Sequence, residues 1–148
     1  MGLAALLDDY LFVGPLMKRR LELQVPDIPV DVCETADQIL AADKRAQLLQ
    51  VMYAGDRFVE SDDGRASRAS QVVHQRYLVC VALNHVGQEK DSRHLRAGPL
   101  MSLVHKALAG WTPDGAARPF VRANAALRPQ ITPQKAIYPM GFEISLTL

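Results

Sequence analysis

The hydrophobic positions of this chain change period several times, and each change marks an element. The clearest helical stripe is Leu100, Leu103, Val104, Ala107, Leu108 and Trp111, which fall on one face of a 3.6-residue period. Ser102, His105 and Lys106 lie opposite. Leu95 is out of register with the stripe, and Gly98-Pro99 intervenes, so the pattern predicts a helix from Pro99 to Ala109. Gly110 suits a left-handed residue after the last turn, and Thr112-Pro113-Asp114-Gly115 reads as a turn. Trp111 is expected to be a core residue at the helix end.

Period two appears elsewhere. Val73, Tyr77, Val79, Val81 and Leu83 share one strand face, and Val72, His74, Arg76, Leu78, Cys80 and Ala82 share the other. The second half is apolar on both faces, which predicts a central strand covered on both sides. At the end of the chain Phe142, Ile144, Leu146 and Leu148 alternate with Glu143, Ser145 and Thr147, predicting a paired strand with its apolar side on helices. Val30 to Glu34 alternates just after Pro26 and Pro29 and suits an edge strand. Leu48 to Tyr53 reads as a buried strand ending at Ala54-Gly55-Asp56, and Phe120 to Asn124 as a short strand. Arg128 to Lys135 reads as irregular.

Residues 1–23 keep helical spacing through Leu3, Leu6, Leu7, Tyr10 and Val13, and again through Met17 and Leu21, with Gly14-Pro15 expected to break or kink the helix between. Lys18-Arg19-Arg20 reads as a solvated face near the helix end. Thr35-Ala-Asp-Gln38 matches a capping box and predicts a short helix through Ile39 and Leu40. Residues 56–70 form a polar stretch with few groups to bury, expected to be a mobile loop. The fold class is therefore α+β: one domain over 1–148, with a single mixed or mainly antiparallel sheet packed with helices in one layer or partly two.

Composition narrows the function. A 49% hydrophobic chain of 148 residues can bury one sizeable core. Seventeen basic residues against sixteen acidic ones leave a net charge of +1, which is no footprint for nucleic acid or for an anionic membrane. No apolar run is long enough to span a bilayer, and Asp8-Asp9 without early basic residues does not read as a signal peptide. Two cysteines, Cys33 and Cys80, in strand-like segments fit a reducing compartment.

No reactive constellation emerges. There is no glycine-rich phosphate loop, Cys-x-x-Cys pair, His-Glu-x-x-His or Gly-x-Ser-x-Gly. His85, Asp91 and His94 could converge on a metal across one turn, but scattered histidines near a loop are more often solvated. Asp56 with Arg57 reads as a turn with a local ion pair, and His74 beside Arg76 as a polar contact. An enzyme assembled from Asp56, His74 and His85 is the reading this leaves for catalysis, and it predicts a pocket joining them. The expectation is a non-enzyme without cofactor.

The order of motifs resembles small bacteriophage and prophage tail-terminator (tail-completion) proteins. It rests on Leu-x-x-Val-x-Tyr-Ala-Gly-Asp56, the strand Tyr77 to Leu83 followed by Asn-His, Ala97-Gly98-Pro99 opening a helix that ends Ala-Leu-x-Gly-Trp-x-Pro113, and Tyr138-Pro-Met-Gly141 before the last strand. These span roughly residues 25 to 148. The resemblance implies an α/β sheet layered with helices and a hexameric ring at the head-proximal end of the tail tube. Such a ring stops tube polymerisation and presents a surface for head joining. The implied partners are other copies of the chain, the tail tube protein and a head–tail connector or neck protein. The implied location is the host cytoplasm during assembly and then the virion tail. A neck or head-closure protein of the same virion is the alternative. A ring of one chain needs a surface that meets a different surface of its neighbour; Asp56, Arg57, Glu60, Asp62, Asp63, Arg65 and Arg68 are the interface candidates, through charges that could pair across copies.

Overall fold

The computed structural model describes residues 6, 8–58, 72–84 and 92–147. Among them are three helices, α1 (Val13–Gln24), α2 (Ala36–Leu40) and α3 (Ser92–Leu108), and six strands. The strands are β1 (Val30–Cys33), β2 (Gln47–Arg57), β3 (Val72–Asn84), β4 (Val121–Ala123), β5 (Gln130–Ile131) and β6 (Lys135–Thr147). They form one sheet in the order β1-β2-β3-β6-β4, with β5 also on β6. Only the β1–β2 pair is parallel. The mixed α+β fold is the one the sequence pattern indicates.

The period-two segments behave as alternation dictates. β3 lies between β2 and β6, paired along its whole length with β6 from Val72↔Thr147 to Asn84↔Lys135. Tyr77, Val79, Val81 and Leu83 join Phe142, Ile144 and Leu146 in the main core beneath α1 and α3. Leu78 and Cys80 face the other way, into a smaller cluster with Cys33, Ile39 and Ile137. That second layer is thin, because α2 and the segment bearing Leu127 cover only part of the face.

The capping box at α2 is present in both directions: the Thr35 side chain accepts from the Gln38 amide, and the Gln38 side chain accepts from the Thr35 amide. Thr35→Ala is expected to cost about 1 kcal/mol in a urea melt; an unchanged midpoint would contradict the cap's role. At the other end of α2, the buried Lys135 ammonium donates to the carbonyls of Ile39 (2.6 Å) and Ala41 (2.7 Å). A cation there meets the carbonyls a helix end leaves unpaired. Burial holds the Lys135 pKa below its ordinary value.

Several local expectations change. The third helix starts at Ser92, with Pro99 inside it. An internal proline removes one helical hydrogen bond, so the turns before it are held from outside. Arg93 is buried and donates to the Thr132 carbonyl at 2.6 Å, His94 meets the Tyr138 hydroxyl at 2.9 Å, and Ala97 is buried against the core. Leu95 is out of register because it is 77% exposed. The buried stripe runs through Ala97, Val104, Ala107 and Leu108, with Leu100 and Met101 packed beside it, while Leu103 faces outward.

The break in the N-terminal segment falls earlier than Gly14-Pro15. Leu6 and Asp8 have helical backbone, residues 9–12 form a turn, and Gly14 and Pro15 sit in the first turn of α1, where proline is tolerated. Asp9 Oδ1 accepts from the Leu11 amide at 3.1 Å, and the Asp9 carbonyl accepts from the Phe12 amide at 3.2 Å. The helix then buries Val13, Gly14, Met17 and Leu21. Lys18-Arg19-Arg20 lies mid-helix, and Arg20 is not a free solvated cation: it donates to the Ala107 carbonyl and lies 5.4 Å over the Trp111 ring.

β2 runs past its expected end to Arg57, through a bulge at Tyr53/Gly55. Gly55 has φ 103°, a backbone that glycine adopts without the penalty of a side chain. Asp56 and Arg57 are therefore strand residues opposite Gln75 and His74 rather than the start of a loop. The segment Arg128 to Lys135 is likewise not wholly irregular, since β5 pairs Gln130↔Ile137 and Ile131↔Ala136.

Candidate assembly surface

Two strand-end residues proposed from sequence as interface members, Asp56 and Arg57, project to opposite faces of the sheet, as neighbours in a strand must. Each has been drawn into a separate polar network. The expected Asp56–Arg57 ion pair does not form.

On the helix side, the Asp56 carboxylate accepts from the hydroxyls of Tyr10 and Tyr53. Gln75, fully buried, donates to the Tyr10 carbonyl at 2.8 Å and accepts from the Tyr77 hydroxyl at 3.0 Å. These bonds clamp the turn at residues 9–12 onto the end of the sheet. Burial, and next the hydrogen bond to Asp56, raises the Tyr53 pKa above its ordinary range, and the same causes raise that of Tyr10. Both hydroxyls thus stay protonated and able to donate. Asp56 works within the fold.

On the opposite face, Glu143 is 7% exposed and gathers three cationic or polar partners. Arg57 reaches it at 2.5 Å, Arg76 at 3.3 Å, and His74 Nδ1 lies 3.4 Å from it and 2.8 Å from Ser145 Oγ. The hydrogen bond from Arg57 is the main cause holding the Glu143 carboxyl below its usual range. Among the described residues, two guanidiniums stand against one carboxylate on this face. Exposed Val72 and Val121 flank it, since Val72 sits two residues before His74 and Val121 pairs with Glu143.

The sign of the Glu143 shift fixes a pH dependence. A carboxyl with a depressed folded pKa stabilises the fold above its unfolded value, and that contribution is lost as pH falls through the folded value. Glu143→Gln is expected to cost about 1–3 kcal/mol near neutral pH, because Arg57 and Arg76 lose the carboxylate charge and must share a single neutral amide oxygen. The gap between wild type and variant in urea melts narrows once pH drops below the ordinary carboxyl value of 4.5. A gap constant with pH would contradict the ion cluster.

The remaining sequence candidates resolve as follows. Glu60, Asp62, Asp63, Arg65 and Arg68 lie outside the described residues, as do His85 and Asp91. The trio Asp56, His74 and His85 does not form a common site: Asp56 and His74 occupy opposite faces and serve different networks. His94 is engaged with Tyr138. Among the described residues, no group of His, Cys, Asp or Glu could hold a metal, and no helix is long and apolar enough to cross a membrane. Cys33 and Cys80 are buried free thiols, and burial pushes the Cys80 pKa up to about 12.

Two features were not legible from sequence. Glu143 looked like an ordinary solvent-side member of an alternating strand, and only the register Arg76↔Glu143 reveals its company. Trp111 proved only half-buried, stacked on Phe120 at 5.9 Å with an interplanar angle of 13° and covered by Arg20. The late aromatic Phe120 was the available signal for that contact.

No curated protein matches the sequence. Ten chains of known structure are similar in fold. One of these is 14% identical with a TM-score of 0.51, covering 92% of this chain and 94% of its own, which marks a shared fold. The family model described as "Phage tail terminator protein" matches residues 7–148. The match takes in the first helix as well as the motifs from Tyr53 to Gly141, and on it the chain belongs to the phage tail terminator protein family.

Proposed function

We propose that this phage tail protein caps the tail tube at its head-proximal end, stops tube polymerisation there and helps join the head. The family match over residues 7–148 carries this reading. The working form is a closed ring of copies, six in number, whose partners are the tube protein on one side and a neck or connector protein on the other. Assembly takes place in the host cytoplasm, and the ring then remains in the virion tail. The protein acts by contact, without catalysis or cofactor. The open face around Arg57 and Arg76 and the charged segment with Glu60, Asp62, Asp63, Arg65 and Arg68 are the contact groups we assign to ring or tube.

Purified tube protein polymerising in the presence of this chain tests the reading. Growth is expected to stop, with the chain labelled at one end of each tube. Tubes that lengthen at the unaltered rate, with no end label, would overturn it. Label at the end without arrest of growth would favour a neck role instead.

A further inference from the structure

The two outer edges of the sheet carry opposite charge. β1 lies at one edge, and β4 with β5 lies along the other; at about 4.8 Å per strand spacing they stand roughly 19 Å apart. Residues 25–43, which contain β1 and α2, hold Asp27, Asp31, Glu34, Asp37 and Asp43 and no Lys or Arg. Residues 115–134, which contain β4 and β5, hold Arg118, Arg122 and Arg128 and no carboxylate. Arg45 takes up Asp31 and Asp43. With Arg45 and the adjoining exposed Lys44 counted on one side and the exposed Asp114 on the other, residues 25–45 carry a net charge of −3 (five carboxylates, two cations) and residues 114–134 of +2 (three arginines, one carboxylate). Asp27, Glu34 and Asp37 are exposed, as are the three arginines.

Each edge also shows apolar side chains to solvent. Val32 and Leu40 are 51% and 39% exposed on the acidic side, and Val121 and Ile131 are 55% and 56% exposed on the basic side. An edge strand with outward apolar groups is a template for another strand, and charge of a single sign would normally keep copies apart. Here the signs differ between the edges. Like edges repel, and unlike edges attract and orient each other.

Strand direction agrees. β1 runs with β2, β2 against β3, β3 against β6, and β6 against β4 and β5. β1 and β4 thus run in opposite senses, so a sheet continued from one copy into the next would meet as an antiparallel pair. We propose that copies of this chain join head to tail, the acidic β1–α2 edge of one against the basic β4–β5 edge of the next. The contact is heterologous, and a rotation that closes makes a ring. The proposal rests on the self-assembly in the reading above and names its surface.

Two paired charge reversals test it. Glu34→Lys with Asp37→Lys makes both edges basic; Arg118→Glu with Arg128→Glu makes both edges acidic. Thermal melts establish that each variant folds. Each alone is expected to sediment as a monomer, self-associating about tenfold or more weakly than the equimolar mixture, in which the two variants alternate. Raising salt from about 50 mM to about 500 mM should disperse the mixture. A mixture that stays monomeric at low salt, or variants that associate as readily alone as together, would overturn the proposal. Capping of growing tubes is scored separately. Variants that fail to associate in mixture yet still cap would sink the edge pairing and leave capping standing; a mixture that associates beside a wild type that never caps would do the reverse.

Discussion

Phe120→Ala is expected to cost about 3–5 kcal/mol of folding stability, a fall of roughly 6–20 °C in melting temperature for a domain of this size. Phe120 is 1% exposed. It stacks on Trp111 and meets the edges of Tyr77 and Phe142 at 6.4 and 6.5 Å between ring centres. Its backbone is tied as well, the carbonyl accepting from the Gly110 amide and the amide donating to the Trp111 carbonyl, both at 2.9 Å. These bonds prevent the chain from collapsing into the space a smaller side chain leaves, which places the cost toward the upper part of that range. Truncation should also loosen the junction between the end of α3 and β4. A loss under about 1 kcal/mol by thermal or urea unfolding would mean that the aromatic cluster does not hold these elements together.

Gly141→Ala should be nearly as severe for a different reason. A Cβ at Gly141 would lie 2.5 Å from the Ala123 carbonyl oxygen and 2.7 Å from that of Asn124. Both are backbone atoms, so the clash is relieved only by moving β4, which pairs Ala123 with Gly141. The expected cost is about 3 kcal/mol, with faster amide exchange at residues 121–123 and little change in β3. Gly55→Ala is the control: Gly55 has φ 103° and nothing within 4 Å of a Cβ, so it meets only backbone strain of about 1–2 kcal/mol. Equal effects of the two substitutions would show that close approach of β4 is not what requires glycine at 141.

The parts of the fold legible in the sequence are those where local pattern and tertiary burial agree. The two faces of β3 and the alternation of Phe142, Ile144 and Leu146 follow from period two, and Thr35 and Gln38 cap α2 as their spacing requires. Errors arise where a distant contact outweighs a local signal. Pro99 marks a helix start by propensity, but Arg93 and His94 anchor the turns before it to residues some forty positions away, and Ala97 is buried in the main core. Gly55 reads as a strand end, whereas a bulge lets β2 continue to Arg57. Of the candidate surface, the residue types were visible and their grouping was not. Asp56 is bound to Tyr10, 46 residues earlier, and Arg57 to Glu143, 86 residues later. The opposite charge of the sheet edges lay in the sequence throughout, but it acquired meaning only once the strand order placed β1 and β4 at the two ends.

The role proposed for this chain is to end the growth of the tail tube. Its most direct test is electron microscopy of tails assembled in infected or induced cells with and without the protein. Tubes of uncontrolled, mostly excessive length that fail to join heads are expected when it is absent, with uniform length restored when it is supplied. Tails of normal, uniform length in its absence would rule out that role.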